Sequence, residues 1–280
     1  MANIGASVTV GPLLRSWRQR RRLSQLDLAL EAGVSARHLS FIETGRSRPS
    51  AEMVLHLADE LGVPLRERNQ LLLAAGYAPR YGERTLDEPE MKPVRDAVEL
   101  VLAGQEPYPA VVVDRAWNMV AGNRAVALLT EGVAPELLDP PVNVLRVSLH
   151  PDGLAPRIAN FEEWRGHLLE RLGRQVATTG DADLAALYDE LSEYPHGGSD
   201  GQDPGAGSGP AAGEGPAPDI VIPLRLSAGD GELAFFSTVT TFGTPVDVTV
   251  SELAIESFFP ADAATAEAVA RAGAEALPQR

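Results

Sequence analysis

The chain has 280 residues, no cysteine and a formal net charge of −15 at pH 7, which excludes disulfides, thiolate catalysis and cysteine-based zinc sites. It has no apolar run near the ~20 residues needed to cross a bilayer and no signal-peptide pattern, so we expect a cytoplasmic protein without a membrane partner. The charge is uneven: residues 1–80 carry eleven arginines against seven acidic residues, net +4, whereas residues 81–280 carry 13 basic and 32 acidic residues, net −19.

Five short helices are predicted in the basic N-terminal part. Apolar residues recur there at helical spacing, over Pro12–Arg21, Gln25–Ala32, Ala36–Thr44, Ala51–Leu61 and Leu65–Ala75. Ser24, Ser35 and Ser50 are the expected hydroxyl N-caps, and glycines end four of the helices. Residues 1–80 should therefore form one compact all-α domain.

The second and third of these helices form the most informative pattern in the chain. They meet at a tight turn at Gly33 and are followed by the basic residues Arg46 and Arg48. A helix-turn-helix places its second helix in the DNA major groove in this way. An ordinary helical hairpin has the same spacing. The local charge favours the first interpretation, because residues 13–48 hold eight arginines against three acidic residues.

The exposed start of the second motif helix predicts the base contacts. Arg37 is the expected base reader, because its guanidinium can bond guanine O6 and N7 in a bidentate manner. Ala36 and Phe41 are suited to contact a thymine methyl group. For His38, a base contact and an ordinary surface position both remain open. Ser35 caps this helix and belongs to the predicted interface.

The loop after that helix is expected to hold the DNA backbone. Arg46 and Arg48 are predicted to bind phosphates, which fixes the register of the protein on the duplex without reading its sequence. The alternative for both residues is a solvated basic loop. These two interpretations differ in what they predict for the salt dependence of DNA binding.

Residues 81–130 change character from turn-rich to mixed helix and strand. A helix is predicted from about Pro93 to Ala103. The β-branched run Ala110–Asp114 and the segment Trp117–Ala121 predict a β-hairpin with its turn at Arg115–Ala116. Asn123 is the expected N-cap of a following helix, Arg124–Thr130.

The remainder predicts two helices and a second group of strands. Phe161–Thr178 is strongly amphipathic, and Asp181 is the expected cap of the next helix. Strands are predicted at Ile220–Leu226, Glu232–Phe242 and Val246–Val250. Between these groups, residues 196–218 have almost no apolar mass beyond alanine and are expected to be disordered.

Sequence motifs for catalysis are absent from the chain. No nucleophile elbow, phosphate-binding loop or zinc-protease helix occurs, and the five histidines show no metal-ligand spacing. We therefore expect no catalytic residue, no metal site and no cofactor, and the protein is predicted not to be an enzyme.

Residues 13–76 resemble the Cro/C1-type helix-turn-helix of the Xre family. The likeness lies in Gln25, Ala29, Gly33, Leu39, Ile42, the Glu43-x-Gly45 pair and Pro49. The resemblance implies that Gln25 clamps a phosphate at a helix N-terminus and braces a base-reading side chain. It also implies a structural ion pair between Arg18 and Glu43. The complete set of predicted DNA-binding residues is Gln25, Ser35, Ala36, Arg37, His38, Phe41, Arg46 and Arg48.

Residues 107–260 resemble the ligand-binding domain of MmyB-like bacterial transcription regulators. The likeness lies in YPAVVVDRAWNMVAGNRAVALL, LHPDGLAPRIANFEEW and FFSTVTTFGTPVDVTVSELAIESFFPAD, and the hairpin and helix of the first segment resemble the opening of a PAS fold. The resemblance implies a sensor for a small hydrophobic ligand such as a fatty acid. The candidate ligand-binding residues are Trp117, Met119, Phe161, Trp164, Leu168, Phe235 and Phe236, with Arg157 or His167 for a carboxylate head group. The alternative is that the apolar residues only form the core.

Taken together, these patterns predict a multidomain chain with an all-α five-helix domain followed by an α+β PAS-like domain. The expected boundaries are 1–80 for the DNA-binding domain, 81–106 for a linker with a helix, 107–262 for the PAS-like domain and 263–280 for a flexible tail that contains a frayed helix. We expect a ligand-responsive transcription regulator that binds an inverted repeat of double-stranded DNA as a homodimer, with half-sites ~34–36 Å apart. A constitutive DNA-binding protein whose large domain only dimerises, and an enzyme targeted to DNA, remain alternatives.

Overall fold

The computed structural model of the protein describes residues 9–195, 221–229 and 231–275. It contains two compact units. The first comprises the residues up to Arg95 together with Phe242–Glu252, and the second comprises Asp96–Thr241 and the residues from Leu253 onward. The predicted disordered segment 196–218 and the last residues of the predicted tail, 276–280, lie outside the described residues.

Five helices build the N-terminal part of the first unit, each within two residues of its predicted ends. They are α1 (Val10–Arg20), α2 (Gln25–Glu31), α3 (Ala36–Glu43), α4 (Ala51–Glu60) and α5 (Leu65–Ala74). The hydroxyls of Ser24, Ser35 and Ser50 each accept a hydrogen bond from the backbone N–H three residues later. All three predicted N-caps are therefore confirmed.

A close approach of α1 and α3 sets the position of the second motif helix. Gly11 faces the end of α3, and a Cβ atom at this position would lie 2.6 Å from the Ile42 carbonyl oxygen and 2.7 Å from that of Glu43. Such distances exclude any side chain, so glycine is required for this contact. Leu14, Leu28 and Leu39 are fully buried in the core that these helices share.

The second unit is built on a five-stranded antiparallel sheet. Its strands are β1 (Ala110–Val113), β2 (Met119–Gly122), β3 (Leu224–Ala228), β4 (Gly231–Thr241) and β5 (Ala254–Pro260), in the order β2-β1-β5-β4-β3. The register pairs Val112 with Ile255 and Val239 with Glu256. The helices of this part of the chain are α6 (Lys92–Gln105), α7 (Ala127–Thr130), α8 (Val144–Leu149), α9 (Phe161–Thr179), α10 (Ala182–Glu193) and α12 (Ala263–Glu275).

The core of the second unit lies on one face of the sheet. Trp164, Leu168 and Leu172 of α9 belong to the same buried cluster as Phe235 of β4 and Phe258 of β5. Successive residues of a strand point to opposite faces, and on the other face the rings of Phe236 and Phe259 stack with their centroids 5.5 Å apart. An all-α unit followed by an α+β unit confirms the predicted fold class.

The prediction of a strand at Val246–Val250 is wrong, because these residues enter a short helix, α11 (Val248–Glu252). An Asp247 side-chain oxygen accepts a hydrogen bond from the Thr249 N–H at 3.0 Å, and the Asp247 carbonyl accepts one from the Ser251 N–H at 3.1 Å. This local cap overrides the β preference of the valines.

The prediction that Asn123 caps a helix is also wrong. A 3-10 turn over Arg124–Val126 precedes α7, and the Asn123 side chain makes no cap hydrogen bond to it. Its amide oxygen instead accepts from the Ala110 N–H at 3.1 Å, and its amide nitrogen donates to the Tyr108 carbonyl at 2.8 Å. Asn123 thus ties the end of β2 to the start of β1.

Candidate DNA interface and ligand cavity

A buried ion pair anchors α3 within the first unit. Arg18 donates from Nε to Glu43 Oε1 at 2.7 Å and from its terminal nitrogen to Oε2 at 2.9 Å, as the family resemblance implied. The same carboxylate accepts a hydrogen bond from Gln25 Nε2 at 2.7 Å. One side chain of α3 therefore holds both α1 and the N-terminus of α2.

Both members of this ion pair stay charged. Burial acts to raise the pKa of Glu43, but the hydrogen bonds from Arg18 and Gln25 outweigh it and hold that pKa below its ordinary value. The hydrogen bond to Glu43 raises the pKa of Arg18. A charged, hydrogen-bonded pair of this kind gives α3 a fixed orientation.

Three predicted DNA-binding residues lie together on the exposed side of α3 and its following loop. The exposed guanidinium of Arg37 lies 5.3 Å from the centroid of the Phe41 ring, and that of Arg46 lies 6.0 Å from the same centroid. Both distances are within the range of a cation–π contact. Phe41 can therefore hold the two arginines in place before DNA arrives.

The other predicted residues near α3 occupy its first turn. Ser35 accepts from the His38 N–H at 3.1 Å, while Ala36 and His38 are half-buried. Gln25 lies at the start of α2, where its amide braces Glu43. For all of these residues, contact with DNA stays a prediction.

Arg48 has a structural position that the sequence did not indicate. Its Nε donates to the Ala75 carbonyl at 3.1 Å, its terminal nitrogen donates to the Gly76 carbonyl at 3.4 Å, and its guanidinium lies 5.1 Å from the centroid of the Tyr77 ring. It thereby satisfies carbonyl groups at the C-terminal end of α5. The predicted phosphate contact of Arg48 would have to coexist with this role.

The second unit contains an apolar cavity of about 80 Å³. Side chains from the strands and from the helices that cover one sheet face form its walls. Four of the seven candidate ligand-binding residues line it, and these are Trp117, Met119, Trp164 and Leu168. Sequence reasoning missed other wall residues, among them Val111, Val126, Leu129, Leu145, Ser148, Glu256 and Phe258.

The remaining three candidate residues lie elsewhere in the second unit. Phe235 is fully buried in the core without lining the cavity, and Phe236 stacks on Phe259 on the opposite sheet face. Phe161 lines a separate surface groove at the start of α9. An apolar side chain alone does not indicate which side of a sheet or helix meets the cavity.

Trp117 enters the cavity wall from a strained turn. Its φ of +67° lies in the left-handed region, which bulky residues rarely adopt. Its indole N–H donates to Gln175 Oε1 at 2.8 Å, and the Arg171 guanidinium lies 4.4 Å from its ring centroid. These contacts from α9 hold the ring in place and offset the cost of the left-handed backbone, which is about 1–3 kcal/mol.

Two comparisons with known families cover both regions. The model described as MmyB-like transcription regulator ligand binding domain matches residues 94–272, and a helix-turn-helix model matches residues 14–68. The chain belongs to the MmyB-like transcription regulators. It is thus a DNA-binding transcription regulator with a ligand-binding domain. No match was found among curated proteins.

The polar groups at the cavity of this MmyB-like regulator already have partners. The Trp164 indole N–H donates to Ser148 Oγ at 3.0 Å. Glu256, which is 5 % exposed, accepts hydrogen bonds from Arg171 at 3.3 and 3.4 Å. Thr130 Oγ1 donates to the Val126 carbonyl at 3.4 Å. The walls are therefore apolar except for one ion-paired carboxylate, two bonded hydroxyls and the bonded indole N–H groups.

The two candidates for a carboxylate head group do not line this cavity. Arg157 donates to the Glu131 carbonyl at 2.7 Å and to the Leu128 carbonyl at 3.3 Å. The pKa of His167 is lowered, first by burial and then by the nearby charge of Arg171.

In the described part of the MmyB-like regulator, no helix is long and apolar enough to span a membrane.

Proposed function

We propose that this regulator recognises a specific DNA sequence through α3 and that a small apolar ligand in the cavity of its second unit controls that recognition. The observation that carries the ligand part is the apolar cavity, whose walls include Trp117, Met119, Trp164 and Leu168. Ligand sites in proteins are mostly apolar with few polar groups. The acyl chain of a straight-chain fatty acid matches this chemistry.

On DNA, we assign different tasks to the residues around α3. Arg37 reads a guanine in the major groove, while Ala36 and Phe41 meet thymine methyl groups. Arg46 holds phosphate, joined by Gln25 at the positive end of α2. The protein acts as a homodimer on an inverted repeat, because two-fold protein symmetry matches two half-sites one helical turn apart. We propose no enzymatic role.

The size of the cavity has a consequence for the ligand. A volume of about 80 Å³ is smaller than a cavity of ~150 Å³ that admits benzene. An acyl chain therefore needs the walls to move apart. The same small volume favours the second candidate function, in which the domain only dimerises and its aromatic residues only form the core.

Binding of one probe to the protein and to its operator separates these candidates. The operator is first selected from random duplexes with the full-length protein. Dodecanoate is then titrated while tryptophan fluorescence, to which Trp117 and Trp164 contribute from the cavity wall and Trp17 from the first unit, reports its binding. The operator dissociation constant is measured with and without dodecanoate. We expect saturable binding and a changed operator affinity. An unchanged affinity and fluorescence would support the constitutive dimer, and recovery of chemically altered probe would support a DNA-targeted enzyme.

A further inference from the structure

The connection between β4 and β5 is part of the first unit, although both strands belong to the second. Thr241 and Ala254 are direct partners in the sheet, and the residues between them include Phe242–Glu252, which belong to the DNA-binding unit. The chain thus passes from one unit to the other after Arg95, again after Thr241 and again after Glu252. We call Phe242–Glu252 the connecting segment.

Two acidic residues of the connecting segment bind arginines of the first unit. Glu252 accepts hydrogen bonds from Arg66 of α5, at 2.7 Å from Nε and 2.8 Å from the terminal nitrogen. Asp247 accepts one from Arg84 at 2.9 Å. A backbone bond supports them, from the Val248 N–H to the Gly82 carbonyl at 2.7 Å. These are directional, charge-assisted contacts rather than loose packing.

The segment is also built to keep this position. Asp247 is 5 % exposed and serves two partners, with one carboxylate oxygen capping α11 and the other bound to Arg84. The Val248 side chain is fully buried. A buried carboxylate is costly to leave without its partners, so these bonds favour the docked position of the segment.

The connecting segment is linked to both functional regions, to the cavity through β5 and to the DNA-binding helices through α5. β5 begins two residues after Glu252, and its residues Glu256 and Phe258 line the cavity. On the other side, Arg66 belongs to α5, which packs against α1, and α1 packs against α3. Because the cavity must enlarge to hold an acyl chain, movement of the β5 wall would act directly on the Glu252–Arg66 contact.

We propose that the connecting segment is the element that couples the cavity to the DNA-binding helices. An enlarged cavity shifts β5, strains the Glu252–Arg66 and Asp247–Arg84 pairs, and changes the position of α5 beneath α1 and α3. This inference rests on the proposed function, since it requires a ligand with different affinities for the docked and strained states. It adds the path by which that ligand acts.

The test compares isosteric variants of two ion pairs on the same helix. Glu252→Gln removes the charge by which the segment binds Arg66, while the ion pair of Arg66 with Glu83 inside the first unit stays. Asp59→Asn removes the carboxylate that contacts Arg68 of α5 at 3.0 Å and leaves the segment untouched. A second variant, Gly82→Cys with Asp247→Cys, gives up the Asp247–Arg84 pair but joins the segment to position 82 covalently when oxidised, so its own reduced form is its control. These two residues form a β-bridge, a Cβ at Gly82 would lie 3.1 Å from an Asp247 carboxylate oxygen, and the chain has no other cysteine.

For each protein, dodecanoate binding is followed by tryptophan fluorescence and operator affinity is measured with and without the probe. In the wild type and Asp59→Asn we expect dodecanoate to change operator affinity by about 5–150-fold. In Glu252→Gln and in the oxidised double-cysteine variant, dodecanoate should still bind but should change operator affinity by less than about twofold. In the reduced double-cysteine variant, the change in operator affinity should be larger than in the oxidised form.

A full response to dodecanoate in both Glu252→Gln and the oxidised variant would overturn the coupling role and leave the proposed function intact. Failure of the wild type to bind dodecanoate, or to change its operator affinity, would instead overturn the proposed function and the coupling together. The two failures are distinguished by the wild-type measurement alone.

Discussion

Arg18 and Glu43 stand 25 residues apart in the sequence and form a buried, bidentate ion pair with nitrogen–oxygen distances of 2.7 and 2.9 Å. The pair joins α1 to the end of α3 and presents Glu43 to Gln25. Because α3 carries Arg37 and Phe41, the pair fixes the orientation of the helix that presents them. Its members read no base themselves.

Replacing Glu43 with glutamine should destabilise the first unit by about 3–5 kcal/mol, because it leaves Arg18 buried without its counter-charge. Amide hydrogen exchange in α1, α2 and α3 measures this loss for that unit alone. The exposed Glu60→Gln is the control and should change the protection by less than about 0.5 kcal/mol. Equal protection in both variants would contradict the structural role of the pair.

The same pair predicts a pH dependence. Since the folded pKa of Glu43 is lowered from its ordinary value of 4.5, its contribution to stability is complete above that value and is lost as the pH falls through the folded pKa. The difference in protection between the wild type and Glu43→Gln should therefore be constant near neutral pH and shrink in acid below about pH 4.5. A difference that grows in acid would refute the assignment.

Arg37 and Arg46 should respond differently to replacement by alanine. Arg37→Ala is expected to cost about 1–3 kcal/mol on the selected operator, mainly at one base pair, with little loss on random DNA. Arg46→Ala should weaken binding to all sequences and reduce the slope of log affinity against log salt by about one. Competition binding at several salt concentrations measures both effects. Equal losses of Arg37→Ala on operator and random duplexes would exclude it as the base reader.

Arg48→Ala tests whether this arginine mainly stabilises the first unit, through its contacts with the end of α5, or mainly binds a DNA phosphate. Loss of its hydrogen bonds to the Ala75 and Gly76 carbonyls should destabilise the first unit by about 1–3 kcal/mol. Thermal unfolding and the salt slope of DNA binding are measured together with Arg46→Ala. A stable Arg48→Ala protein with a reduced salt slope would favour the phosphate contact instead.

Two leucines one helical turn apart in α9 allow a test of whether dodecanoate binds in the cavity. Leu168 lines it, whereas Leu172 is fully buried without lining it. Leu168→Phe should fill existing space, keep stability within about 1 kcal/mol and weaken dodecanoate binding at least about tenfold. Leu172→Phe should cost about 1–3 kcal/mol by overpacking. Thermal unfolding and tryptophan fluorescence separate the two outcomes, and unchanged dodecanoate affinity in Leu168→Phe would place its site elsewhere.

Features that depend on nearby residues were predictable. The helix ends of the first unit agree with the structure within two residues, and Ser24, Ser35 and Ser50 cap as expected. An N-cap bond spans three residues and helical spacing spans four, so both can be recognised from residues that are close together in the sequence. Family resemblance added the Arg18–Glu43 pair, which local patterns do not reveal.

Errors arose where a tertiary partner decided between local options. Asn123 is a good N-cap residue, yet its side chain is used by Ala110 and Tyr108. Val246–Val250 has the composition of a strand, yet Asp247 caps a helix while it binds Arg84. Local preferences of this kind differ by only about 1 kcal/mol, so a few specific contacts override them.

The sequence by itself determined the helix-turn-helix, the basic face that it shares with its neighbouring arginines, and the division into all-α and α+β parts. Only the tertiary structure decided that Trp164 faces a cavity while Phe235 does not, and that Arg48 is bound to the end of α5. It also decided that Phe242–Glu252 belongs to the DNA-binding unit. Apolar periodicity identifies a buried face, but the neighbour on that face comes from residues far away in the chain, whose positions exist only after folding.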